Sequence, residues 1–266
     1  MNVRYNEEQM NYNESLSKTN ENGSSHLSGM KPCRSTNFMQ WRSNQSSATS
    51  NTSNDTSNNH RSLYSMTIQE LVDYEGSAGI PFIIKTCILE VEKRGSKVEG
   101  IYRISASTST VEKIEQFFDI MNINNNADIS KMHSVIDADI HALAGLLKRY
   151  LKKIPDPIIP QELYSAYIQI STFEDEKIKL DKLNDIINEL PKANKITLLA
   201  LVKHLALIAE NEKWTKMSSG ALATVFAPTL VRHNSLHPQE EIQDNRAKTL
   251  VTELLFKNYR LIFNIA

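Results

Sequence analysis

Beyond residue 62, apolar residues recur every three or four positions, which is the spacing of one face of an α-helix. One short series is Ile84, Cys87, Ile88 and Val91. A longer series is Ile140, Leu143, Leu147, Tyr150, Leu151 and Ile154. Residues 196–209 form an apolar run that is predicted to be a central helix, and no stretch alternates as a β-strand does. The pattern predicts an all-α fold, a single helical domain of about eight or nine helices over residues 62–266.

Glycine, proline and polar residues indicate where some of these helices begin and end. Asp139 is predicted to cap the helix that carries the longer apolar series. Gly95 is predicted to be the C-cap of the helix that carries the Ile84 series. Pro228 is predicted to end another helix. Residues 238–244 are predicted to form a polar, acidic loop before the last helix, 246–263.

The first 61 residues differ in kind from the remainder. Residues 1–60 contain 12 Asn and 12 Ser but only three Ile, Leu or Val. Such a segment cannot bury enough apolar surface to offset its chain entropy, so residues 1–61 are predicted to be a disordered tail. We interpret its aromatic island, residues 38–42, as stray aromatics in a linker rather than as a docking peptide.

Composition narrows the class of protein. The formal net charge is -1, so there is no overall basic field to attract nucleic acid. Cys33 and Cys87 are too far apart to suggest a disulfide framework or a metal site. The N-terminus shows no signal peptide, and apolar runs such as residues 198–202 are far too short to span a bilayer. We therefore expect a cytoplasmic protein with no transmembrane segment, no nucleic-acid partner and no bound metal.

The side chain of greatest chemical interest is Arg103. It follows Gly100, Ile101 and Tyr102, a turn between two predicted helices. Gly100 suits a backbone position with positive φ, and its two apolar neighbours are predicted to pack inward and hold the turn rigid. A fixed guanidinium is planar, permanently charged and forked, which suits developing charge on phosphate. Taken alone, however, such an arginine is more often a surface residue or an ion-pair partner.

Other candidate residues depend on the helices that carry them. Lys148 and Lys152 are spaced i, i+4, so they share one helix face, which is either solvated or turned toward an acidic or phosphate-bearing partner. His204 has no second ligand at helical spacing and is interpreted as a core or boundary histidine rather than a metal ligand. The sequence has no phosphate loop and no nucleophile motif. An all-helical chain with one rigidly held arginine therefore indicates action on a partner's chemistry.

Four segments, in this order along the chain, together resemble the RhoGAP domain, the GTPase-activating domain for Rho-family small GTPases, and Bcr-like and chimaerin-like members look most similar. They are residues 80–95, 99–105, 139–157 and 216–230. The likeness extends from about residue 62 to the end. It implies a helical RhoGAP fold and a chain that accelerates GTP hydrolysis in a partner without being the hydrolase itself.

The resemblance also implies roles for individual residues. Arg103 would be the catalytic arginine finger, and Lys148 the structural and interface lysine of the signature helix. Lys152 stands where the family usually has arginine, and Thr229 stands where many members have asparagine and some have threonine. Both are expected to bind the partner, but a hydroxyl is shorter than an amide, which puts a direct hydrogen bond from residue 229 in doubt. Ala106 stands where glycine is common, which would stiffen the following loop.

The partner implied is a Rho/Rac/Cdc42-type GTPase in its GTP-bound state, with a weak lean toward Rac-like proteins. The partner would bind GTP and Mg²⁺, so this chain is expected to bind no cofactor or metal of its own. The finger would enter the partner's active site, binding would order its switch loops, and the complex could be recruited peripherally to membranes through the GTPase.

Two alternatives stay open. The first is a non-catalytic module of the same fold that only grips the GTPase. The second is a helical adaptor for lipids or phosphopeptides that uses Arg94, Lys97 and the basic residues within 148–153.

Overall fold

The computed structural model describes residues 62–124, 139–233 and 238–265, all of which belong to one compact unit, residues 61–266. Ten α-helices run through these ranges. They are α1 (Ile68–Glu75), α2 (Phe82–Glu90), α3 (Thr108–Asn124), α4 (Ile140–Lys153), α5 (Tyr164–Gln169), α6 (Glu176–Glu189), α7 (Lys192–Glu210), α8 (Glu212–Thr215), α9 (Ser219–Leu230) and α10 (Pro238–Ile262). The described ranges contain no strand, only one isolated bridge between Ile159 and Val231. The all-α prediction is confirmed, whereas the predicted tail, residues 1–61, lies outside the described residues.

Helices α4 and α7 contribute many of the buried apolar side chains of the core. On α4 the buried residues are Ala142, Leu143, Ala144, Leu146, Leu147, Tyr150 and Leu151. On α7 the apolar buried residues are Ala193, Leu198, Leu199, Ala200, Leu201, Val202, Leu205 and Ile208. Asp139 caps α4 as predicted, since its carboxylate accepts a hydrogen bond from the His141 amide at 3.0 Å. Helices α2, α3 and α9 pack against α4, and α10 packs against α6, α7 and α9.

Two of the predicted boundaries were wrong, and one short helix was not predicted. Pro228 lies inside α9, which continues to Leu230. A proline removes only its own hydrogen bond to the carbonyl four residues earlier, and the Val231 amide still donates to the Ala227 carbonyl at 3.1 Å. Residues 238–244 are not a loop but the start of α10, with Pro238 at the first helical position. Proline is favoured there because its fixed φ suits a helix and its missing N–H has no intrahelical role. The single turn α8 was not predicted, because four residues are too few to show a period.

Gly95 ends its helix for a reason other than the predicted one. Helix α2 runs into a π-helical turn, Val91–Gly95, and the left-handed glycines of the described residues are Gly76, Gly79 and Gly100. A Cβ atom on Gly95 would lie 2.9 Å from Cγ1 of Ile140 and 3.3 Å from Cδ1 of Ile101. Glycine is therefore required because the start of α4 and the segment around Ile101 approach the backbone closely.

No helix within the described ranges is both long enough and apolar enough to cross a membrane.

Replacing Gly95 with alanine should destabilise the fold by about 1–3 kcal/mol, because the added methyl must displace packed side chains. Gly145→Ala is the matched control. Its Cβ would meet only Cγ2 of Val111, at 3.4 Å, and alanine is the better helix former by about 1 kcal/mol. Urea unfolding of both variants measures the difference, and equal midpoints would show that the packing around Gly95 is not tight.

Candidate functional site

The candidate site is built on a tight turn between the π-helical segment and α3, residues 100–104, which we call the arginine turn. Gly100 has φ = +69°, as predicted from its position. Its carbonyl accepts the amides of Arg103 at 2.9 Å and Ile104 at 2.8 Å, and its own amide donates to the Thr215 carbonyl at 2.7 Å. The turn is therefore closed on itself and bonded at its base to the end of α8.

Tyr102 fixes the centre of this turn from inside the core. Its backbone also has a positive φ, +69°, a conformation that costs energy for a bulky residue. The ring is fully buried, and it makes edge-to-face contacts with Phe226 at 5.0 Å and with His204 at 5.8 Å between centroids. The phenol hydroxyl shares a hydrogen bond with Nε2 of His204. Burial raises the pKa of this phenol well above its usual value.

His204 in turn is held from its other side. Its Nδ1 atom lies 3.0 Å from Oε1 of Glu92 on the π-helical turn. The imidazole is 1% exposed and both ring nitrogens have partners, which agrees with the prediction of a core histidine. Over the described part of the chain, no group of three or more metal-ligating side chains is found. Sequence reasoning did not identify the Tyr102–His204–Glu92 chain, because His204 lies 102 residues from Tyr102.

Lys148 supports the same turn through the backbone. Its Nζ atom donates a hydrogen bond to the Tyr102 carbonyl at 2.5 Å. The lysine is half-buried, and burial lowers the pKa of its amine. Lys148 therefore stabilises the peptide that directly precedes Arg103.

Arg103 itself points away from this network. Its side chain is exposed, and among the residues that the structure describes it has no carboxylate partner. The interpretation of Arg103 as an internal ion-pair residue is therefore not supported. What the turn presents is a guanidinium with no ion-pair partner among the described residues, on a backbone that is fixed at both ends.

The remaining predicted site residues differ in their surroundings. Lys152, one turn after Lys148 on α4, is exposed. Thr229 on α9 is buried, and its hydroxyl donates to the Phe226 carbonyl at 2.8 Å. The structure thus brings Arg103 and Lys148 together at the turn and connects Thr229 to it only through Phe226. The binding roles of Lys152 and Thr229 stay predictions.

Three of the other cations near the site pair with carboxylates. Arg149 and Lys153 on α4 both pair with Glu115 on α3, and Arg94 pairs with Glu90 at 2.9 Å. Paired cations attract an external anion less than free ones do. Of the cations that a lipid or phosphopeptide adaptor would use, Arg94, Arg149 and Lys153 are therefore paired, whereas Lys97 and Lys152 are exposed.

The model of the RhoGAP domain family matches residues 81–235 of this chain, a span that includes the arginine turn. The active breakpoint cluster region-related protein of Xenopus laevis is 42% identical over 153 residues, which is 58% of this chain and 17% of that protein. N-chimaerin of Rattus norvegicus is 35% identical over 184 residues, which is 69% of this chain and 53% of that protein. The matched segment therefore spans only part of the length of each relative.

A solved structure of a named Rho GTPase activating protein has a similar fold. The structure of human Rho GTPase activating protein 15 superimposes with a TM-score of 0.68 and 26% identity, covering 77% of this chain and 93% of that one. Because the family match covers more than half of the chain and the helical fold agrees, the sequence resemblance is confirmed. The chain belongs to the RhoGAP domain family.

Proposed function

We propose that this chain accelerates GTP hydrolysis by a Rho-family small GTPase in its GTP-bound state, and that Arg103 is the residue that enters the partner's active site. The observation that carries the proposal is an exposed guanidinium, without an ion-pair partner in the part of the chain that the structure describes, on a turn held by Lys148, Tyr102 and Thr215. The name of Rho GTPase activating protein 15 is consistent with this activity.

The proposed chemistry is phosphoryl transfer from GTP to water. Negative charge spreads over the oxygens of the transferring phosphoryl group, and a guanidinium that donates to them lowers the barrier. In Ras-type systems an arginine supplied in trans raises the rate by about 10³–10⁵. Because the turn is rigid before binding, no conformational entropy is lost in ordering it when the partner docks.

In this proposal the partner holds the nucleotide and the metal. GTP and Mg²⁺ are bound by the GTPase, so this chain binds no cofactor of its own and is an activator rather than a hydrolase. Docking also orders the switch loops of the GTPase, which completes the site around the attacking water.

The supporting residues divide into two kinds. Lys148 is a positioning residue, because its amine is bonded to the peptide before Arg103. Lys152 is exposed and contacts the partner directly, although lysine cannot form the two parallel hydrogen bonds that arginine makes with a carboxylate. Thr229 acts through the Phe226–Tyr102 packing rather than by a hydrogen bond to the partner, since the residue is buried and its hydroxyl proton is donated within α9.

Replacing Arg103 with alanine should remove nearly all stimulation, about 10³-fold or more, while binding to the GTP-loaded partner changes only a few-fold. Arg103→Lys should also fail, because an ammonium lacks the planar fork. Single-turnover GTP hydrolysis by Rac-, Cdc42- and Rho-type GTPases at saturating variant measures this. Arg246→Ala, a change of an exposed arginine on α10, should leave the rate unaltered. Full activity of Arg103→Ala would disprove the assignment.

Turnover separates activation from simple binding. A small amount of this chain, well below the GTPase concentration, should accelerate hydrolysis of the whole GTP pool. A non-catalytic binding module would instead affect at most one GTPase molecule for each molecule of the chain.

Lys148→Met and Lys152→Met should change different kinetic quantities. Methionine at 148 keeps the apolar stem but leaves the Tyr102 carbonyl without its donor, so the saturating rate should fall by about tenfold or more, while the half-saturating concentration is little altered. Methionine at 152 should raise the half-saturating concentration and leave the saturating rate unaltered. Titrating each variant against GTP-loaded GTPase gives both values, and the same effect for both lysines would contradict the division of roles.

A further inference from the structure

A large apolar side chain is exposed beside the arginine turn and is not explained by the fold. Trp214, on the single-turn helix α8, is 54% exposed. The one described group placed over its ring is Nζ of Lys213, 5.4 Å from the centroid. Tryptophan is highly buried on average and is enriched among the residues that dominate binding energy at interfaces.

The neighbour of Trp214 fixes this tryptophan relative to the turn. Thr215 is fully buried, and its hydroxyl shares one proton between the carbonyls of Ile208 on α7 and of Asn211, which joins α7 to α8. Its carbonyl accepts the Gly100 amide at 2.7 Å. The Trp214 Cα atom therefore lies within about 9 Å of the Gly100 amide at the base of the arginine turn.

Ile104 extends the apolar surface from the other side of the same hydrogen bond. Its side chain is 47% exposed and covers Gly100, since a Cβ atom on that glycine would lie 2.6 Å from Cδ1 of Ile104. Ile104 and Trp214 thus lie at the two ends of the Gly100–Thr215 hydrogen bond. We call these two exposed side chains the finger-side patch.

The occupant of the patch follows from the position of Arg103. A standard protein interface buries about 800 Å² on each partner, which corresponds to a compact disc of about 16 Å radius. A partner that accepts Arg103 must cover the arginine turn, and a disc of this radius centred on the Gly100 amide extends well beyond the Trp214 Cα atom, which lies within about 9 Å of that amide. The guanidinium and the patch would therefore be buried by one molecule.

We infer that the finger-side patch packs against an apolar part of the GTPase surface that borders its nucleotide site, and that Trp214 supplies much of the affinity of the complex. The inference rests on the proposed function, because it names the same partner. In this arrangement Arg103 acts on the bound nucleotide, whereas Trp214 touches only the GTPase protein. Tryptophan suits this role because a rigid indole buries a large apolar area at a small entropic cost.

The test measures binding separately from catalysis. Trp214→Ala should weaken binding to a GTPase loaded with a non-hydrolysable GTP analogue by about tenfold or more. In the GTP hydrolysis assay the half-saturating concentration should rise by the same factor, and the saturating rate should stay within about twofold. Trp214→Gln should behave like the alanine variant, and its polar side chain suits an exposed position if the alanine variant is poorly soluble.

The matched control is Leu261→Ala, which removes another strongly exposed apolar side chain, on α10, and should alter neither value. Thermal unfolding of each variant shows that the fold is retained. If Trp214→Ala and Trp214→Gln both match Leu261→Ala, the inference is wrong although the chain still activates. If sedimentation shows instead that Trp214 changes only self-association of the chain, the patch is a contact between copies and the inference is also wrong.

Failure of the proposed function would look different. In that case the unmodified chain would stimulate no GTPase of the panel and bind none in the analogue-loaded state, and the inference about Trp214 would fail together with it.

Discussion

The hydrogen bond from the Lys148 amine to the Tyr102 carbonyl is the interaction on which the site depends. It joins the core helix α4 to the peptide that directly precedes Arg103. The backbone at Tyr102 is left-handed, and such a conformation costs about 1–3 kcal/mol unless its surroundings hold it in place. Lys148 holds the carbonyl of that residue, and the buried ring and hydroxyl hold its side chain. The direction in which Arg103 leaves the turn is thus set by the protein core.

The same packing explains why the site uses residues from distant parts of the chain. Glu92 on the π-helical turn, His204 on α7 and Phe226 on α9 all meet at Tyr102, directly or through one another. Thr215 at the end of α8 holds the base of the turn. Displacing Arg103 would therefore disturb contacts that several helices make with the turn. Such a support provides a geometry that is ready before the partner binds, which is what electrostatic stabilisation of a transition state requires.

Sequence alone predicted most of the helices and part of the turn. Helical spacing and the Asp139 cap predicted α4, and the positive φ of Gly100 and the burial of Ile101 and Tyr102 were predicted from residue type. The left-handed backbone of Tyr102 was not, because a tyrosine gives no local signal for it. Its contact with His204 was also invisible, since no periodic pattern links residues about a hundred positions apart. Helix α8, which carries Trp214, is too short for its spacing to be recognised.

The most direct measurement compares affinities for a transition-state mimic. A GTPase loaded with GDP and aluminium fluoride presents a phosphoryl-like group in the geometry of transfer, and a residue that acts on the transition state must bind this form more tightly than the ground state. If Arg103 acts on the transferring phosphoryl group, the unmodified chain should bind the fluoride complex about a hundredfold or more tighter than Arg103→Ala does, while both bind the GTP-analogue complex with similar affinity. Equal affinity of the two chains for the fluoride complex would contradict the claim that Arg103 acts on the transferring phosphoryl group.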